Sequence, residues 1–175
     1  MARKIIRHLS NEKAFTLLEV IVSLILAGIM AAVVGLGLVK ITQSYVFAEK
    51  NSETVQKAQI AMTRIIKELG AATSISTATL PTATSVTYTR PVSVTNTISI
   101  SSGQVQMSGT NSGTLINNVV TGSSSFAYFD AAGASFTPSA ATVPTIRRID
   151  VTLTVKGAGG QTSQFTSSVW INESY

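Results

Sequence analysis

The chain has no cysteine, a single histidine and, from Val20 to Val39, twenty consecutive residues without an ionisable side chain. The first absence excludes disulfides, thiolate metal sites and a cysteine nucleophile, so stability must come from packing, hydrogen bonds or neighbouring chains. The histidine, His8, sits in a short basic leader, which rules out a histidine-based triad in the carboxyl-terminal part. Beyond residue 70 the acids are Asp130, Asp150 and Glu173, with neither a paired arrangement nor a recognised metal-ligand spacing. Nothing here points to an enzyme, a cofactor or a metal.

The charge-free run is rich in Ile, Val, Leu, Ala and Gly. As a helix, twenty residues at roughly 1.5 Å each cross about 30 Å of hydrocarbon. Arg3, Lys4, Arg7 and Lys13 precede it against one acid, Glu12, so the amino end is expected in the cytoplasm and the remainder across a lipid bilayer. That leader holds +3 of the formal net charge of +5; the other residues, nine basic against seven acidic, carry +2. Membrane topology therefore accounts for most of the basic character. DNA stays a possible but unsupported partner, because no basic patch interleaved with aromatics is present.

Three regions follow in order: a leader over 1–14, helix from Phe15 to about Leu69, and a Thr-, Ser- and Gly-rich region from about Gly70 to Tyr175. The helix changes character at Lys40. Beyond it Ile41, Tyr45, Ala48, Val55, Ala58, Met62, Ile65 and Leu69 recur at spacings of three and four, with Ser52 interrupting and Lys50, Glu53, Gln56, Lys57, Arg64 and Lys67 on other faces. No proline interrupts Thr16–Leu69, a helix of 54 residues and about 80 Å. Gly70 is expected to close it in the left-handed conformation. Gly28, Gly35 and Gly37 suit close packing against neighbouring helices, or a local bend.

The last region alternates in short stretches: TSVTYTR from Thr84, SVTNTISI from Ser93, QVQM from Gln104, DVTLTVK from Asp150 and QFTSSVWI from Gln164. Val151, Leu153 and Val155 share one face, and Gly157 to Gly160 provides a turn into a carboxyl-terminal hairpin. A sheet covered on one face is expected, with the amphipathic half of the helix as its cover. The Thr-rich stretch from Ala72 to Val86 reads as an edge strand or a loop joining helix to sheet, Asp130 in YFDAAG as a turn cap, and Arg147 and Arg148 with Asp150 as a charged cluster opening a strand.

Glu19 stands near the start of the apolar run. It can mark the interfacial start of a membrane helix, act as a favourable acid in a first turn, or seek a cationic partner. Its surroundings are more specific. Lys13 and Ala14, then Phe15, Thr16, Leu17, Leu18 and Glu19, then the apolar run, give KAFTLLEVIVSLILAG, which resembles the class III signal of type IV prepilins and of type II secretion pseudopilins. The resemblance implies an α+β, type IV pilin-like fold, with a long amino-terminal helix on a carboxyl-terminal antiparallel sheet. It implies a cleaved leader at 1–14, a transmembrane and filament-core helix at 15–39, an amphipathic helix at 40–70 and a β-rich head at 71–175.

A prepilin peptidase would cut between Ala14 and Phe15 and methylate the new amino group of Phe15. Thr16, Leu17, Leu18 and Glu19 would serve processing and assembly, with Glu19 meeting the amino terminus of an adjacent subunit. Further partners implied are other pilin or pseudopilin subunits and an inner-membrane assembly platform. The expected location is the bacterial inner membrane, single-pass, and then a pilus or pseudopilus. Ala14 stands where the family usually has glycine, and the membrane-helix proline and carboxyl-terminal cysteine pair of many major pilins are missing. These departures favour a minor pilin or pseudopilin. The alternatives are a DNA-uptake competence pilin and a signal-anchored periplasmic or surface binding protein that does not polymerise.

Overall fold

A computed structural model describes residues 16–91 and 93–171. Helix α1 runs Leu17–Gly70 without interruption, 54 residues in all. The chain forms two compact units, Met1–Tyr45 and Val46–Tyr175, and α1 contributes to both. β-Branched threonines are tolerated within α1 because their hydroxyls bond back to the preceding turn: Thr42 to the Leu38 carbonyl at 2.9 Å, Thr54 to Lys50 at 2.9 Å and Thr63 to Gln59 at 2.8 Å.

The amphipathic stripe is buried over a shorter length than its periodicity suggests. Ala58, Ala61, Met62, Ile65 and Leu69 are buried and Val55 is half-buried, whereas Ile41, Tyr45 and Ala48 are exposed. Every described side chain of the first unit is exposed, so apolar periodicity there has no partner among the described residues. The helix end also differs from expectation. Gly70 is the last helical residue and is absent from the glycines with positive φ. The turn tightens instead, with the Ala72 amide donating to the Leu69 carbonyl at 3.1 Å, an i→i−3 bond that absorbs an otherwise orphaned acceptor. A Cβ added at Gly70 would lie 3.5 Å from Val169, an ordinary contact, so its small size is not forced by space.

Among the described residues, nine strands follow in two antiparallel sheets. The first is a meander in chain order: β1 (Ser74–Ile75), β2 (Ser85–Arg90), β3 (Val94–Ser101), β4 (Gln104–Ser108) and β5 (Gly113–Asn117). The second contains β6 (Ser125–Phe129), β7 (Ser135–Phe136), β8 (Arg148–Lys156) and β9 (Thr162–Trp170), ordered β7-β6-β8-β9. The carboxyl-terminal hairpin is therefore present, with Arg148 opposite Trp170 and Lys156 opposite Thr162. The Thr-rich stretch supplies the two-residue edge strand β1 and the loop after it.

The β-rich region builds two sheets where the alternation alone suggested one, and residues 118–120 connect them. The Val119 amide donates to Gly103 beside β4, while the Val120 amide donates to Thr154 of β8 at 2.8 Å. One core spans both sheets and the helix, with Tyr88, Ile98, Val105, Ile149, Leu153, Ile65 and Leu69 all under 2% exposed. Two buried polar groups are satisfied at this join. Ser124 Oγ accepts from the Thr154 amide at 2.8 Å, and Thr154 Oγ1 donates to the Ser123 carbonyl at 2.8 Å, which removes the cost of burying bare hydroxyls.

Candidate processing and assembly segment

Helix α1 starts with a side-chain cap. Thr16 Oγ1 accepts the Glu19 amide at 3.3 Å, and the Val20 amide donates to the Thr16 carbonyl at 3.2 Å. Thr16–Leu17–Leu18–Glu19 thus has the T-x-x-E spacing that satisfies a first-turn donor, a local signal the sequence reading passed over. Glu19 is the acid of the first turn, where the positive end of the helix dipole favours a carboxylate. It is exposed and makes no ion pair among the described residues. Ala14 and Phe15 lie outside the described residues.

The segment after Glu19 exposes a continuous apolar surface. Leu18, Leu24, Ile29, Met30, Val34 and Leu36 are 57–71% exposed, and no part of the most apolar window is buried. At about 1.5–3 kcal/mol per large side chain, leaving so many apolar groups in water would cost on the order of 20 kcal/mol or more. Such a surface requires a lipid or protein environment, and α1 is the one described helix long and apolar enough to cross a membrane. A Cβ added at Gly28, Gly35 or Gly37 would meet nothing within 4 Å, so no contact among the described residues explains these glycines.

Residues 9–35 match the family model for the prokaryotic N-terminal methylation motif. The chain carries a type IV prepilin-like signature. The match covers the end of the leader, the Thr16–Glu19 cap and the exposed apolar face of α1 up to Gly35, which are the parts the resemblance singled out. A prepilin-like motif implies processing by a prepilin peptidase and assembly with other pilins, and it points to a structural subunit rather than an enzyme. One long amino-terminal helix followed by antiparallel sheets is the type IV pilin-like α+β layout. No curated protein matches the chain.

The remaining candidate residues of this prepilin-like chain are spread over the second unit. Asp130 is a turn cap: its Oδ1 accepts the Ala134 amide at 2.9 Å and its carbonyl accepts from Gly133. Arg148 and Asp150 pair at 3.0 Å, while Arg147 donates to the carbonyls of Pro144 and Ile146. The Arg148 guanidinium also lies 4.0 Å over the Phe129 ring and 5.8 Å from Trp170, its two cross-strand neighbours.

Two groupings had no signal in the sequence. The Tyr88 hydroxyl donates to Glu68 at 3.1 Å, and Glu68 pairs with Arg90 at 3.4 Å, tying the last turns of α1 to β2. Burial first, and the Glu68 carboxylate second, push the Tyr88 phenol above its ordinary pKa. At the β8–β9 turn, Asn51 Oδ1 accepts the Ala158 amide at 2.8 Å. Both depend on pairings between residues far apart in the chain. Among the described residues, no three His, Cys, Asp or Glu side chains are placed to hold a metal ion.

Proposed function

We propose that this prepilin-like protein is a minor pilin or pseudopilin, a non-enzymatic subunit of a type IV pilus-like or type II secretion filament. The observations that carry this reading are the methylation motif at residues 9–35 and, from Leu17 on, a helix whose apolar surface there is exposed among the described residues. In the precursor, lipid covers that surface, with the basic leader on the cytoplasmic side and the β-rich head across the bilayer. Prepilin peptidase cuts between Ala14 and Phe15 and methylates Phe15. In the filament, neighbouring α1 helices replace lipid, and Gly28, Gly35 and Gly37 allow their backbones to approach closely.

Glu19 then faces a solvation problem with a specific answer. A carboxylate surrounded by helices is costly unless a cation or hydrogen-bond donor meets it. No basic residue occurs between Val20 and Val39, so the cation comes from outside that run, and the methylated amino terminus of an adjacent subunit supplies it. The absence of cysteine and of a proline in the membrane segment supports the minor or pseudopilin assignment. The test is Glu19→Ala in cells carrying the cognate assembly system. Membrane insertion is expected to persist while recovery in sheared filaments falls; unchanged recovery would refute the pairing.

A further inference from the structure

The first sheet ends on β5, and β5 borders a groove of about 610 Å³. The opposite wall is a face of α1 carrying Lys50, Glu53 and Lys57, and the end of β8 contributes Lys156. An edge strand leaves every second residue's N–H and C=O without a strand partner. β5 has five residues, Gly-Thr-Leu-Ile-Asn, with neither a proline nor a charge to block pairing, and Leu115 bulges from its ladder with β4, between Thr114 opposite Gln106 and Ile116 opposite Val105. The edge strands β1 and β7 have two residues each, too short to hold a partner strand.

The charge balance defines the occupant. Three ammonium groups face the groove against one carboxylate, and Glu53 is taken up by Lys57 at 2.6 Å. That contact and the charge of Lys57 hold the Glu53 carboxyl below its ordinary pKa. Lys50 and Lys156 are exposed and make no ion pair among the described residues. We propose that the groove between α1 and β5 receives an extended acidic segment of another polypeptide, which adds to β5 as a sixth strand of the first sheet. Carboxylates at alternate positions of that segment share one face, so together they can meet Lys50 and Lys156 while backbone bonds to β5 supply affinity.

The test uses the full, unprocessed chain in a non-ionic detergent, so its outcome does not depend on filament formation. The probe is an end-blocked, fluorescein-labelled hexapeptide alternating glutamate and valine, followed by anisotropy. Saturable binding is expected, weakened about tenfold in the Lys50→Glu, Lys156→Glu double variant and unchanged in Lys67→Glu, whose side chain lies outside the groove. Hydrogen exchange at Thr114 to Asn117 is expected to slow on binding. Four results would each overturn the proposal: no saturation up to about 1 mM, equal binding of a lysine–valine hexapeptide, undiminished binding by the double variant, or tighter binding of oligothymidine than of the acidic peptide.

Discussion

Replacing Ile65 by alanine should distinguish the packed from the exposed face of α1. Ile65 is 1% exposed, within a cluster with Met62 and Leu69, whereas Ile60, five residues earlier, is 69% exposed. Truncating a buried isoleucine removes its transfer free energy and leaves a cavity, together about 2–5 kcal/mol. The same truncation at Ile60 should fall within about 0.5 kcal/mol of zero. At about 3 °C per kcal/mol for a unit of this size, Ile65→Ala should lower the midpoint by about 6–15 °C and Ile60→Ala by no more than about 2 °C. The assay is thermal unfolding of the full chain in non-ionic detergent, followed by near-ultraviolet circular dichroism. That signal reports the buried Tyr88 and Tyr128 instead of the exposed helix. An equal or larger loss for Ile60→Ala would refute the assignment of the packed face.

Asn51→Ala leaves the half-buried Ala158 amide without its acceptor and should cost about 1–3 kcal/mol in the same melt. Gly109→Ala should cost about 2–5 kcal/mol: φ is +117° there, and the new Cβ would run into the Asn96 side chain and lie 2.8 Å from the Thr95 carbonyl oxygen. Tyr88 and Tyr128 both have phenol pKa values raised above the ordinary 10, mainly by burial. A raised folded-state value means that the unfolded chain loses these protons first, so their contribution is constant below about pH 10 and declines as pH rises further. Ultraviolet titration of tyrosine against chemical denaturation between pH 8 and about 12 checks this, and a stability that rises through that range would contradict it.

The amino-terminal segment was the most legible part of the chain because its information is local. A charge-free run, a basic flank and Thr16 to Glu19 need no tertiary context, and helix α1 spans the expected number of residues. Strand positions were also readable, since alternation in DVTLTVK reports a buried face and that in QFTSSVWI a half-buried one. What stayed hidden depends on where the chain returns. Nothing local to Asn51 or Glu68 announces that Ala158 or Tyr88 will meet it. The division into two sheets rests on the crossing at residues 118–120, where one amide bonds beside β4 and the next to β8. Periodicity overestimated the buried stripe because Ile41 and Tyr45 have helical spacing whether or not anything covers them.

The most direct test of the account is the intact mass of the protein after coexpression with a prepilin peptidase. Residues 1–14 are expected to be lost and one methyl group gained on Phe15, in spite of Ala14 standing where glycine is usual. A mass corresponding to the full chain, from cells in which the same peptidase processes a glycine-bearing control, would contradict it.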